Sequence, residues 1–446
     1  MIPNRPPCPF LPYLLLGAVL AVGVRSTAGA AVPVATRPKI VVIISDDHRA
    51  DHLGYFGHPE LKTPHLDTLA RRSVVFRHAY VQAADRTAVC APARTGIHSG
   101  KTLYHWSQHD PASQDPAHYS LGRAFRAAGY ATLRSGKGVN VPSSLCAEFE
   151  RNIEQSSLKL DVHVANGLAF IREHAGRRPF LFVAEPRVPH SPYPATERFQ
   201  KLYDPATLRL PPDHRVRHLF LDGEEWLEAK VRETLARYYA SLSFLDDGVG
   251  QLLAALAETG QSANTIVVFL GDNGYSIGHH GLGAKSDVYE FGGLHVPLLI
   301  AGPGIAPRDS PAFVYQTDLL PTLCDLAGVP VPARTDGRSL RPILERRRET
   351  VRDVAATFFM DQQFAVRDAR WKLIRFPHHR RQELYDLERD PHELQDLSTD
   401  PAHAARLADL TTLLEREKAA VDYRWPLPST PPAPTKGKKK RPDQGG

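Results

Sequence analysis

The sequence predicts an α/β fold: a large, mostly parallel sheet flanked by helices, with a small C-terminal α+β subdomain. Three observations predict it. Short β-branched runs without polar alternation recur, among them KIVVIIS at 39–45, PFLFVAE at 179–185 and TIVVFLG at 265–271. Such runs suit strands buried on both faces. Helix-like segments stand between them, the alternation of a parallel sheet. From about Val351 the pattern changes to FAVRDARWKLIRF and QELYDLERDP, which suit short antiparallel strands.

The elements follow in order. Lys39 to Ser45 is the first strand. Thr63 caps a helix that runs through Arg72, with Pro64 at its first helical position. SVVFRHAYV is extended. Ser120 caps LGRAFRAAG, Gly129 ends it, and YATLRSG returns as a strand. A helix spans Leu158 to His174 ahead of PFLFVAE. A long helix spans Leu227 to Glu258. TIVVFLGDNG and HVPLLIAGPG are two further strands, and Gln316 to Gly328 is a helix. A helix from Ala402 to Ala420 closes the subdomain. No internal repeat is found.

At 446 residues the chain holds one large domain and a smaller one. Its 42% hydrophobic and 23% charged residues exclude a disordered or membrane-embedded class. Arg5, an apolar run over 10–24 and Ala28-Gly29-Ala30 make residues 1–30 a secretory signal. The run is short for a membrane span, so no stable membrane insertion is expected. The protein is expected to be exported, to a periplasmic or extracellular location. The catalytic domain is assigned to 38–350, the C-terminal subdomain to 351–423, and a disordered basic, Pro-rich tail to 424–446. The net charge of +6 comes from the ends. The tail holds Lys436, Lys438, Lys439, Lys440 and Arg441 against Asp443, and the signal holds Arg5 and Arg25. The body is near neutral, which argues against a nucleic-acid partner. Beyond the signal remain Cys90, Cys146 and Cys324, too few for a disulfide framework. Cys324 sits in the apolar pattern of DLLPTLCDLAG and reads as core; Cys146 reads as paired or free. Nothing in the sequence specifies an oligomeric state.

In open α/β sheets, ligands bind beyond the carboxyl ends of the strands. SDDHR puts Asp46 and Asp47 directly after the first strand, and GDNG puts Asp272 and Asn273 directly after another. Either pair alone reads as a turn or a helix cap. Together they supply hard oxygen ligands for Ca²⁺ or Mg²⁺. No zinc-type cysteine or histidine spacing competes.

The ordered set IVVIISDD, KTPHLDTLA, VCAPARTG, SGKG, PHSP, LGDNG and GAKSDVYE resembles the type I sulfatases of the alkaline phosphatase superfamily. The resemblance runs from about Lys39 to Gly304 and resumes at AVRDARWKLIRF and ELYDLERDP. DDHRADHLGYFGHPELKTPHLD and AVCAPAR look most like the iduronate-2-sulfatase branch. The resemblance implies an alkaline phosphatase-like fold. It also implies that Cys90, first residue of the C-x-P-x-R core ending at Arg94, is oxidised to formylglycine by a maturation enzyme. A hydrated aldehyde carries two hydroxyls on one carbon: one attacks sulfur, and the other re-forms the C=O bond and expels sulfate. Cys90 would share the metal with Asp46, Asp47, Asp272 and Asn273; calcium is the expected ion, magnesium the alternative. The family resemblance gives Arg94 the task of holding the aldehyde side chain. Lys137 and Lys285 would contact sulfate oxygens. His190 would contact sulfate or protonate the leaving alcohol. Taken singly, the two lysines read as solvated loop residues and His190 as filling a Pro-rich loop.

One departure stands out. The family places a histidine shortly after the lysine matched by Lys137, to take a proton from the hydrate. This chain has Asn140, whose amide is no base near neutral pH. His279, His280 and His295 lie near the GDNG and GAKS motifs, and His280 resembles a family histidine. Asn140, His280 and His295 are therefore the further substrate-side candidates. The expected function is an exported sulfatase acting on a sulfated carbohydrate such as a glycosaminoglycan, with loops Tyr104–Tyr119 and Pro189–Tyr203 setting specificity. Two alternatives are a phosphate or phosphonate monoester hydrolase of the same superfamily and a non-catalytic sulfated-glycan-binding protein. The first would more often show Ser or Thr as nucleophile with extra zinc ligands. Asn140 keeps the second in view.

Overall fold

The buried runs become strands. A computed structural model describes residues 37–106, 120–154 and 159–427. The expected signal, almost all of the basic tail and most of the Tyr104–Tyr119 loop lie outside them. In chain order the strands are β1 (Lys39–Ser45), β2 (Val74–Tyr80), β3 (Ala83–Ala84), β4 (Ala131–Gly136), β5 (Arg151–Glu154), β6 (Phe180–Glu185), β7 (Thr265–Gly271), β8 (Ser276–Ile277), β9 (Gly283–Ala284), β10 (His295–Ala301), β11 (Arg308–Tyr315), β12 (Ala355–Phe359), β13 (Gln363–Arg367), β14 (Trp371–Phe376) and β15 (Arg381–Asp386). Eight of them form one sheet in the order β11-β2-β10-β7-β1-β6-β4-β5. Only β10 runs antiparallel to its neighbours, β2 and β7; the other pairs are parallel. The sheet is mostly parallel, as the unalternated runs imply.

The helices of seven or more residues are α1 (Pro64–Ala70), α2 (Cys90–Ser99), α3 (Leu121–Ala127), α4 (Leu160–His174), α5 (Glu228–Glu258), α6 (Leu319–Ala327) and α7 (Ala404–Ala420). The first six cover both faces of the sheet. Successive strand residues point to opposite faces, so β1 feeds two cores. Ile40, Val42 and Ile44 pack with Ala93 and Ile97 of α2, Phe125 of α3 and Leu320 of α6. Val41 and Ile43 pack with Leu66 of α1, Val164 of α4 and Leu245 of α5. This double burial explains why β1 carries no polar residue between Lys39 and Ser45.

Two local expectations are settled differently. Ser120 caps α3, its hydroxyl accepting from the Arg123 N–H at 3.2 Å. Thr63 does not cap α1 with its side chain. Its Oγ1 accepts from Gly54 N–H at 2.8 Å and donates to Asp67 at 2.9 Å, so Pro64 alone marks the start. The expected helix from Gln316 begins as a 3₁₀ turn, Gln316–Asp318, and becomes α-helical at Leu319.

The C-terminal sheet has the order β15-β14-β13-β12-β3. Its β12 to β15 are antiparallel, and α7 packs Leu410 and Leu414 against them. Its last strand, β3, comes from the other end of the chain and pairs parallel with β12. The small sheet is therefore not confined to residues 351–423: the catalytic part lends it an edge six residues before Cys90. Cys90, Cys146 and Cys324 are free and buried, and Cys324 lies in the main core. No helix among the described residues is long and apolar enough to cross a membrane.

Candidate active site

The ends of two central strands build the site. Parallel pairing sets Ser45 of β1 opposite Gly271 of β7, so the residues that follow each strand leave the sheet side by side. Asp272 N–H donates to Ser45 O at 2.9 Å and fixes that level. Asp47 has φ 68°, in the left-handed region; this bend lets Asp46 and Asp47 converge instead of diverging. The first residue of α2 completes the group. One ligand atom each from Asp46, Asp47, Cys90 and Asp272 lies within 4.8 Å of all the others. Cys90 Sγ is 3.2 Å from Asp46 Oδ1 and 3.8 Å from Asp47 Oδ1.

Cations close on this group. Lys285 Nζ is 2.6 Å from Asp47 Oδ1 and 2.8 Å from Cys90 Sγ. Lys137 Nζ donates to Asp46 Oδ2 at 2.8 Å. Arg94 Nε donates to Asp272 Oδ2 at 2.8 Å, and its two terminal nitrogens are buried with no hydrogen-bond partner. His190 Nε2 is 3.8 Å from Asp47 Oδ2, and its side chain keeps 25% of its surface. The structure thus gathers Asp46, Asp47, Cys90, Arg94, Lys137, His190, Asp272, Asn273 and Lys285 at one place.

The donor set fits a hard divalent cation. Asn273 Nδ2 donates to Asp47 Oδ1 at 2.7 Å and to Gly274 O at 2.8 Å, while its Oδ1 is a buried acceptor without a hydrogen-bond partner. A buried orphan oxygen is costly, and a cation beside three carboxylates would satisfy it. The acids also need one. Burial pushes Asp272 up to about 6, and Asp46 beside it adds to the rise. Burial opposes ionisation of Asp46 too, but Arg94, Lys137 and Lys285 outweigh it and hold Asp46 below the usual carboxylate range. As a thiol, Cys90 is a poor nucleophile: burial, then Asp272, Asp46 and Asp47, drive its pKa far above the ordinary value.

A further buried layer was not legible in the sequence. Glu185, at the end of β6, is fully buried. Its Oε1 accepts from His98 Nε2 at 2.8 Å, and its Oε2 lies 2.5 Å from Arg134 of β4 and 3.7 Å from Arg94. Arg134 in turn donates to Lys137 O at 2.9 Å. A Cβ at Gly136 would come within 2.2 Å of Glu185 Oε2, so the strand needs glycine there. Glu185, Arg134 and His98 thereby hold the backbone of Lys137 and the guanidinium of Arg94. The one signal in the sequence was a glutamate closing an otherwise apolar run.

Two sequence candidates are placed elsewhere, and a third, Asn140, lies beside α2 without reaching Cys90. His295 sets both ring nitrogens on backbone carbonyls, Glu290 O at 2.7 Å and Arg77 O at 2.9 Å. His280 stacks on Tyr289 at 4.0 Å and lies 3.4 Å from Asp213. Neither has a hydrogen bond or ion pair to Cys90 or its acidic neighbours, because both are tied into the packing of the 278–295 segment. Asn140 lines a recess with Ala91, Pro92 and Arg86 and makes no hydrogen bond to Cys90. His279 N–H chemistry is likewise local: its Nδ1 accepts from Ile277 N–H at 3.0 Å.

The family profile described as Sulfatase matches residues 38–329. A profile described as N-sulphoglucosamine sulphohydrolase, C-terminal, matches residues 278–420. The chain belongs to the sulfatase family and is a sulfuric ester hydrolase of the alkaline phosphatase-like fold. Choline-sulfatase of Rhizobium meliloti is 28% identical over 86% of this chain and 87% of its own length. Delta 4,5-hexuronate-2-O-sulfatase of Bacteroides thetaiotaomicron is 26% identical over 89% of this chain and 92% of its own. A solved structure of a protein in complex with its substrate D-glucosamine-2-N,6-O-disulfate superposes with a TM-score of 0.73 at 21% identity, over 88% of this chain and 100% of that one. A phosphonate monoester hydrolase from Silicibacter pomeroyi gives 0.71 at 24% identity, over 86% and 96%. At such identities the two structures establish a common fold.

Proposed function

We propose that the protein is an exported sulfatase that releases sulfate from a sulfated carbohydrate, using formylglycine made from Cys90. Asp46, Asp47, Asp272 and Asn273 would hold Ca²⁺, with Mg²⁺ the alternative. The observation that carries this reading is Cys90 at the first turn of α2, 2.8 Å from Lys285 and 3.2 Å from Asp46. When present, the hydrated aldehyde supplies a nucleophile that the thiol does not, and the cation supplies positive charge for the sulfate oxygens.

The chain's own residues do the rest. The α2 N-terminus presents backbone N–H groups to an anion at position 90. Lys137 and Lys285, each on an acid already, extend their remaining N–H donors to sulfate oxygens. The unpartnered terminal nitrogens of Arg94 hold the oxygens of the matured side chain at 90. His190 Nδ1 donates to Ser191 O at 2.7 Å. That bond keeps one proton on Nδ1, so Nε2, the atom facing Asp47, gives a proton to the leaving alcohol from the imidazolium and is left as the neutral ring. Burial of Asp46, Asp272 and Arg94 excludes water from this side of the reaction.

Sulfate release from aryl and saccharide sulfates, measured on protein coexpressed with a maturation enzyme, tests the reading. Mass analysis of the peptide holding Cys90 shows whether the aldehyde is there. Aldehyde present with no release from any sulfate rules the proposal out. Asn140, which offers no base beside Lys137, supports a second reading: sulfated-glycan binding without turnover. A thiol that persists at 90 after coexpression would favour it.

A further inference from the structure

We infer that a cavity beside the catalytic centre binds an uncharged sugar residue of the substrate and selects against uronates and doubly sulfated residues. The inference rests on the sulfatase reading and names the substrate class within it. The cavity holds about 500 Å³, within the range of small-ligand sites. It lies where the β8–β9 hairpin meets two turns of the C-terminal sheet, 361–363 and 378–379.

Its wall is shared with the active site. Lys285 reaches Cys90, while the residues on either side of it, Ala284 and Ser286, line the cavity. Gln363 Nε2 donates to Ser286 O at 2.9 Å and pins that wall to the C-terminal sheet. Trp226 closes another side: a Cβ at Gly283 would sit 2.0 Å from its ring, so glycine lets the wall lie on the indole. A saccharide whose sulfate sits at position 90 therefore has this cavity one lysine away.

The lining decides what enters. Among the described residues it includes Asp222, Glu224, Asp287 and Asp361, and no lysine or arginine. Two cations close by are engaged. Lys230 is 2.6 Å from Glu224, and His378 is 3.0 Å from Asp361. Asp287 is satisfied internally by Ser276 at 2.9 Å and by backbone N–H groups. A carboxylate or a second sulfate would meet carboxylate oxygens there and find no lysine or arginine in the lining. Sugar hydroxyls meet the opposite situation. They donate to Asp222 and Asp361 and exchange hydrogen bonds with Gln362 and His379.

The test uses the matured holoprotein and two pairs of disaccharides. In each pair the non-sulfated residue is a neutral hexose in one member and a hexuronate in the other. Turnover of the sulfated pair is compared with that of an aryl sulfate, and calorimetry measures binding of the desulfated pair. The neutral member is expected to bind, and to be turned over in kcat/KM, at least about tenfold better. Asp222→Lys combined with Glu224→Lys is expected to narrow the binding ratio. Equal or stronger binding by the uronate, or no measurable binding of either sugar, overturns the inference even where aryl sulfate is hydrolysed. A clear neutral preference in binding with no turnover of any sulfate upholds the cavity and overturns the sulfatase reading instead.

Discussion

Lys285 touches Cys90 and Asp47 at once, and this double contact sets its cost of removal. Burial disfavours its charge, yet Asp47 and Cys90 raise its pKa above the ordinary value, so it stays an ammonium at any working pH. Lys285→Ala removes a pre-placed donor to the sulfate and leaves Asp47 short of a partner. A loss of about 10²–10³ in kcat is expected, in the range known for one oxyanion donor. Steady-state kinetics on an aryl sulfate, with the aldehyde content at 90 matched, measures it; a change below tenfold would contradict the assigned role. At this scale most of the site was legible. Asp46, Asp47, Asp272 and Asn273 follow apolar runs directly, and a strand exit needs no tertiary information to locate. Cys90 and Lys285 came from motif order. His280 and His295 misled because nearness in sequence to GDNG says nothing about which way a ring faces.

The elements β4, β6 and α2 meet behind the catalytic residues through Glu185. Burial opposes its charge, but Arg134 and His98 overcome that and hold the carboxyl below the usual range. Glu185→Gln leaves Arg134 without a counter-charge in a closed space. It should cost about 3 kcal/mol of stability, read as a lower denaturant midpoint with unchanged slope. Adding Arg134→Met to that variant should restore part of the loss. If the single substitution is silent, the network does not hold β4 to β6. The sequence could not show this layer, since Arg134 and Glu185 each look like the polar end of a strand. Two edge strands were missed for related reasons. β5, RNIE, is short and mostly exposed. β11, RDSPAFVY, carries Pro311 and an irregular register at Ser310 to Phe313, both features of a sheet margin. Central strands are written in long apolar runs; marginal ones are held by neighbours that periodicity does not see.

Across the whole molecule the two sheets are joined by buried charge. Glu290 accepts from Tyr80 at 2.8 Å, pairs with Arg367 of β13 and lies 3.4 Å from Lys372 of β14. Glu393 accepts from Glu290 N–H at 2.5 Å and lies 2.8 Å from Lys372. Burial raises Glu393 to about 7, against the pull of Lys372. Its ordinary value is 4.5, so between these values the folded protein keeps a proton that the unfolded chain has released. Stability from this group is therefore complete below about 4.5 and falls as pH rises toward 7, by at most about 1.4 kcal/mol per unit. Thermal melts of wild type and Glu393→Gln between pH 5 and 8 should show the flatter profile in the variant; parallel profiles would refute the assignment. Metal linkage acts on the same scale. Ca²⁺ at a hundred times its Kd should add about 2.7 kcal/mol, seen as a raised Tm that Asp272→Asn abolishes. A Tm unmoved by Ca²⁺ and Mg²⁺ alike would count against the oxygen set. The sequence announced a separate C-terminal unit at Val351, yet it could not reveal this seam, whose members are spread over three hundred positions.

The two-residue strand β3 sets an order of events. Its backbone partners, Phe358 N–H on Gln82 O at 2.9 Å and Met360 N–H on Ala84 O at 2.8 Å, follow Cys90 by more than 265 positions. At a synthesis rate of about 5–20 residues per second, the ribosome needs roughly 15 to 50 s to deliver them. During that interval the segment leading into Cys90 lacks these two bonds, and afterwards Cys90 is 1% exposed. Under the proposed function, an enzyme that oxidises Cys90 would therefore have to work on the nascent or still unfolded chain, and a finished molecule that missed it would stay unconverted until it unfolds.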